Sequence, residues 1–131
     1  LLPDILEKWI KGKISPVKQN NSAATYCWQK DISKENAEID WEEESPWYIE
    51  RKIRAMIPWP VAWTMIDGKR MKIFKAELRN MESYATPGEA FIEDGNLYIG
   101  TNNSSKMLKI NGLQIEGKNK TKAEDYIRGL H

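Results

Sequence analysis

The tripeptide Pro58-Trp59-Pro60 constrains this chain more than any other stretch. Each proline disfavours helical geometry in the residue before it, which drives Ile57 and Trp59 toward extended backbone and makes a stiff corner. Upstream, Ser45-Pro46 predicts a helix start: the serine can accept from a free first-turn N–H, and proline tolerates the first helical position. Ile49, Ile53, Met56 and Ile57 then recur as one apolar stripe, with Glu50 four residues ahead of Arg54 on a wetter face. Downstream, alternation places Val61, Trp63 and Met65 on one side of a strand, and Asp67-Gly68 favours a two-residue hairpin turn. The returning strand runs through Arg70 to Leu78. Its apolar parity changes from Met71 and Ile73 to Phe74, Ala76 and Leu78, which predicts a bulge near Ile73-Phe74. Helix, corner and bent hairpin are the expected nucleus of the fold.

The flanking sequence supplies smaller units. Leu2, Ile5, Leu6, Trp9 and Ile10 have helical spacing, with Pro3 near the start and Gly12 at the end, so residues 1–12 are expected to hold one short amphipathic helix. Because Leu1-Leu2-Pro3 opens inside that pattern, the chain is expected to be a piece of a longer one. Residues 13–25 are polar and aperiodic, as in a linker, and residues 26–131 form the domain proper. Ser33 could cap a short helix through Ile39. Glu89 to Glu93 and Leu97 to Thr101 read as strands joined by Asp94-Gly95-Asn96. Met107, Leu108, Ile110, Leu113 and Ile115 are strand-like, although Asn111-Gly112 in their midst has the chemistry of a turn. Thr121 and Glu124 have capping-box spacing ahead of Ala123, Tyr126, Ile127 and Leu130, a closing helix. Five short strand-like runs with bulges and small flanking helices predict a mainly β fold, a small closed barrel of the OB type.

A chain of 131 residues can bury an ordinary core without staples. Its one cysteine, Cys27, has no partner in the chain, which fits a reducing compartment and a buried or incidental thiol. The single histidine, His131, is the last residue, leaving no His/Cys cluster for a metal and no positioned imidazole base. No apolar run is long enough to span a bilayer and no secretory signal is visible, so a soluble cytoplasmic protein is expected. No glycine-rich phosphate loop follows a strand, which argues against dinucleotide or P-loop chemistry. Net charge is only +1, but it is unevenly spread. Residues 31–50 hold eight acids against Lys34 alone. Lys69, Arg70, Lys72, Lys75 and Arg79 outnumber Asp67 and Glu77 in one segment, and Lys106, Lys109, Lys118, Lys120 and Lys122 face only Glu116 in another. Should the two basic segments meet in space, they would form a polyanion-binding face. Of six tryptophans, Trp59 and Trp63 read as core, Trp9 as part of the first helix, and Trp28 and Trp47 as exposed rings.

Several ordered strings give the chain a family likeness: Ala24-Thr25-Tyr26, Ile39-Asp40-Trp41, Ile49-Glu50-Arg51-Lys52-Ile53-Arg54-Ala55, Pro58-Trp59-Pro60-Val61-Ala62-Trp63-Thr64 and Asp67-Gly68-Lys69-Arg70-Met71-Lys72-Ile73-Phe74. Pro87-Gly88, Leu113-Gln114, Glu116-Gly117-Lys118, Ala123-Glu124-Asp125 and Arg128-Gly129 continue the pattern. Together they resemble the carboxy-terminal domain of methionyl-tRNA formyltransferases, over nearly the whole chain. Val61 stands where that family usually has a small residue, and Ile57 where it often has Asn. The resemblance also implies that Asn111-Gly112 is a bulge in one continuous strand.

Such enzymes move a formyl group from 10-formyltetrahydrofolate to initiator methionyl-tRNA, with catalytic Asn, His and Asp residues in an amino-terminal domain. By resemblance this chain holds no catalytic residue and no cofactor, and its partners are the initiator tRNA and that amino-terminal domain, with no metal or membrane. Lys30 occupies a position where the family often has a basic residue. Lys30, Lys69, Arg70, Lys72, Lys75, Lys118 and Lys120 are the candidate tRNA contacts, with Lys122 beside them. Sugar-nucleotide formyltransferases share a similar barrel and Pro-Trp-Pro corner, and are the nearest alternative; the closing Leu113-Gln114 to Arg128-Gly129 pattern favours the tRNA enzymes. A second alternative is a packing platform whose lysines are merely solvated.

Overall fold

The structure, a computed structural model, describes residues 1–130, so His131 lies outside the described residues. Helix α1 covers Leu2–Ile10 and buries none of its residues. Helix α2 covers Pro46–Ala55, and the Ser45 hydroxyl accepts from the Tyr48 N–H at 3.3 Å, as the Ser-Pro start requires. Ile49 and Ile53 point into the core, while Glu50 and Arg54 pair at 2.7 Å outside and hold the guanidinium above its ordinary pKa through that hydrogen bond. Ile57, expected in the same stripe, is exposed, because the helix ends at Ala55. Lys52 is buried on the helix's inner side, where its ammonium pairs with Glu44 and donates to the Glu38 carbonyl at 2.8 Å. Burial of that charge is compensated by a carboxylate and a carbonyl together.

At the corner both X-Pro bonds are cis, and Trp59 is exposed rather than core. Val61 is buried with φ of 69°, and its N–H donates to the Met56 carbonyl at 2.8 Å. This left-handed residue resets the alternation that follows. In strand β1, Trp63–Ile66, Thr64 faces the core and Met65 faces solvent, the reverse of the expected phase. Asp67 and Gly68, with φ of 48° and 72°, make the two-residue turn, and β2 covers Lys69–Asn80. Its register against β5, Lys106–Ile115, shifts on both sides of Lys75, so the bulge exists and Phe74 still belongs to the outer phase. Strands β3, Ala90–Glu93, and β4, Asn96–Gly100, form the second hairpin around Asp94-Gly95. Strand β5 is continuous through Asn111-Gly112, which is absorbed opposite the β2 bulge.

The remaining elements are shorter than expected. Ser33 caps a turn, its hydroxyl accepting from the Asn36 N–H at 3.2 Å, and no helix follows to Ile39. Thr121 is not a helix cap either: it pairs with Leu113 as part of β6, Thr121–Lys122, and helix α3 begins only at Ala123 and ends at Arg128.

The result is a mainly antiparallel sheet with flanking helices, in the order β1-β2-β5-β4-β3, with β6 on β5. It does not close into a barrel. Among the described residues no pairing joins β3 to β1; the Trp63 backbone of β1 is instead bonded to the Ala37–Ile39 segment at 2.9 Å in both directions. Ile49, Ile53, Met71, Ile73, Ile99, Leu108, Ile110, Leu113 and Ile127 fill the core under α2 and α3. Close approach also matters at Gly100, where a Cβ would lie 2.3 Å from the Thr86 carbonyl oxygen, and only glycine fits.

Candidate nucleic-acid interface

Of three clefts rich in basic residues, two open on the outer side of β2, β5 and β6, and one lies at the start of β2 against α3. Alternation in β2 turns Met71 and Ile73 inward, which leaves Arg70 and Lys72 outward. The first cleft, about 170 Å³, is lined by Lys69 and Lys118 together with Asp67 and Tyr126. The second, about 230 Å³, is lined by Arg70 and Lys72 with Gln114, Glu116 and Gly117. The third and largest, about 730 Å³, gathers Lys75, Lys109, Lys120 and Lys122 around Phe74, Asn111 and Gly112. The pairing explains this last cluster: Lys75 of β2 stands opposite Gly112 of β5, which stands opposite Lys122 of β6. A glycine between two lysines leaves open floor.

Two of the cations rest on aromatic rings. The Arg70 guanidinium sits 4.2 Å from the centre of the Trp63 ring, and the Trp63 indole N–H donates to the Lys34 carbonyl at 2.8 Å. An exposed cation–π contact of this kind is worth about 0.5–1 kcal/mol. The Arg70 N–H donates to Glu116 Oε2 at 3.3 Å and the Glu116 N–H returns to the Arg70 carbonyl at 2.8 Å, clamping the start of β2 to the end of β5. Gln114 donates to the Lys118 carbonyl at 2.9 Å and so fixes the loop that carries Lys118. Lys120 lies 4.1 Å from the Phe74 ring centre.

Cations of both basic segments therefore meet: Arg70, Lys72, Lys75, Lys120 and Lys122 line clefts on the outer side of the sheet, whereas Lys69, in phase with Met71 and Ile73, joins Lys118 in the cleft beside α3. Lys30 is not among them; it sits before the sheet, 6.0 Å from the Trp28 ring centre. Lys109, counted in the second basic segment but not among the candidate contacts, and Trp63, read as core, are additions to the site. The first needed the β5 bulge to be placed, and the second could have been found from the Asp67-Gly68 turn, which sets Trp63 diagonally beside Arg70. The acids of residues 31–50 line a separate cleft, where Asp31, Glu35, Glu38 and Glu44 surround Tyr48 and Lys52. That cleft shares no residue with the basic ones.

Among the described residues, no group of three His, Cys, Asp or Glu side chains is placed to hold a metal ion, and no helix is long and apolar enough to cross a membrane. The arrangement offers ammonium and guanidinium groups over a shallow surface, which suits a phosphate backbone.

A model of the family described as "Formyl transferase, C-terminal domain" matches residues 31–131. The methionyl-tRNA formyltransferase of Bacillus velezensis is 36% identical over 129 residues, and that of Clostridium novyi 37% over 129; each alignment covers 98% of this chain and 40% of the relative. The chain thus spans about two fifths of the length of these curated relatives. Among solved structures, HypX from Aquifex aeolicus in complex with tetrahydrofolic acid is similar in fold, with a TM-score of 0.62 at 22% identity, covering 96% of this chain and 22% of HypX.

Proposed function

We propose a function from one premise: the chain belongs to the formyl transferase C-terminal domain family. It is the tRNA-holding part of a methionyl-tRNA formyltransferase, the parent enzyme formylating initiator methionyl-tRNA from 10-formyltetrahydrofolate. The observation that carries this reading is the meeting of Lys69 with Lys118 in one cleft, and of Arg70 with Lys72 in the next. Chain segments almost fifty residues apart are folded so that their cations meet around the start of β2, which a packing platform would not need.

The role is to orient. Lysine and arginine contacts to phosphate set the register of the tRNA but carry little base information, so identity of the initiator tRNA is read mainly elsewhere in the parent protein. The clefts gather ammonium and guanidinium groups in excess of their carboxylates, a set suited to phosphate. The formyl donor and the catalytic residues accordingly belong to the part of the parent protein outside this chain, whose own residues bind and position. Residues 1–12 and 13–25 serve as the connection to that part, and residues 26–131 as the tRNA-holding domain.

A salt titration tests the reading. With about four phosphate contacts, affinity of the chain for tRNA should fall about a hundredfold between about 50 and 200 mM salt. Flat salt dependence would instead favour the packing platform.

A further inference from the structure

The fold gives no work to Tyr26 and Trp28. Both are exposed, at 81% and 57%, yet their rings stack with centres 5.9 Å apart and planes 19° from parallel. Large aromatic surface left in water is costly unless something covers it. The pair is also pre-arranged by the backbone. One residue separates Tyr26 from Trp28, and Trp28 itself is extended, with φ of −96° and ψ of 146°. The Trp28 N–H donates to Asp31 Oδ2 at 2.9 Å, and the Asp31 N–H donates back to the Trp28 carbonyl at 2.9 Å. That reciprocal pair fixes the tryptophan backbone and engages the Asp31 carboxylate. The turn it creates, Gln29–Asp31, brings the Lys30 ammonium over the same ring.

We infer that Tyr26, Trp28 and Lys30 form a stacking site for an unpaired nucleotide of the bound RNA. The aromatic faces take the base, and Lys30 takes a phosphate of the same strand. A nucleotide joins a flat π-face to an anion at short range, and these three side chains present that combination in complement. Base-on-ring stacking tolerates any base. The site therefore selects for single-stranded character, where the basic rim on β2 selects only for phosphate. This inference rests on the tRNA-holding reading, and it accounts for Lys30 standing apart from the other candidate contacts.

The test compares binding of the chain to a fluorescently labelled adenylate octamer and to a blunt RNA duplex of equal charge. Trp28→Ala should weaken octamer binding about tenfold and leave duplex binding within about twofold, the range expected when one base loses its stacking partner. Trp28→Phe should restore most of the affinity. Both rings lie on the surface, so the thermal midpoint should be unchanged, and Tyr26→Ala supplies an independent variant. Equal losses on the two RNAs, or none on the octamer, would overturn the stacking site and leave the ring pair to a protein partner. If salt-dependent tRNA binding persists in that case, the function proposed above stands without it. If the wild-type chain binds neither RNA at low salt, both fall.

Discussion

The indole N–H of Trp41 donates to the hydroxyl of Thr64 at 2.8 Å, a buried bond that ties the acidic segment ahead of α2 to the first strand. Gly88 lies against the same ring: with φ of 81°, an added Cβ there would sit 2.9 Å from Trp41 Cδ1. Trp41 thus has both a polar partner and a close glycine. Thr64→Val should strand the indole N–H and cost about 1–3 kcal/mol. In a Trp41→Phe background the same change should cost about 1 kcal/mol less, since the donor is already gone. Chemical denaturation of the four proteins measures the difference, and equal costs in both backgrounds would deny the bond any energetic role.

Val61 reverses a familiar ranking. A β-branched residue in left-handed backbone carries about 1–2 kcal/mol of strain that glycine does not. Val61→Ala discards buried methyls and keeps the strain, whereas Val61→Gly discards slightly more surface and releases it. The glycine variant should therefore be the more stable of the two by about 1 kcal/mol, although alanine normally wins by about 0.5–1 kcal/mol in regular structure. An alanine variant that melts higher would contradict the strain.

Reversing the charge of the rim should separate binding from folding. Lys69→Glu with Arg70→Glu is expected to weaken tRNA binding and to lower the salt slope by about 0.9 for each phosphate that is no longer neutralised. The cost in stability should not exceed the Arg70–Trp63 interaction, about 0.5–1 kcal/mol. Unchanged tRNA affinity would return these residues to the solvent.

Glu89 predicts a pH response. Its carboxylate accepts from the Thr86 N–H at 2.8 Å and from the Thr86 hydroxyl at 3.0 Å, which hold its pKa below the ordinary 4.5. A depressed folded value means that the stabilisation is complete above the unfolded pKa and is lost as pH falls through the folded one. Denaturant midpoints taken from about pH 6 to about pH 3 should decline less steeply in Glu89→Gln than in the parent chain. Parallel declines would remove the assignment.

Local chemistry makes much of this fold legible. Ser45-Pro46, Asp67-Gly68 and Asp94-Gly95 each encode a backbone geometry within two residues, and each geometry occurs where its dipeptide stands. The parity change in β2 likewise encodes its bulge. What escapes depends on partners distant in sequence. The phase of β1 is set by the left-handed Val61, which propensity would never place there. Thr121 has the spacing of a cap but is recruited to pair with Leu113. Closure does not follow from strand count, because the Ala37–Ile39 backbone, not another strand, takes the bonds of Trp63. At the candidate site, the lysines are legible one by one as charge; which of them meet in a cleft is not, since it follows from the register of β2, β5 and β6.

Helix α1 has only nine residues and keeps its leucines, isoleucines and tryptophan in water. A segment of that length hardly sustains its own hydrogen bonds. Its helicity is therefore a gauge of company: amide exchange at Leu6 and Trp9 should slow when a neighbouring surface arrives, and should register that arrival long before the β-sheet notices any change.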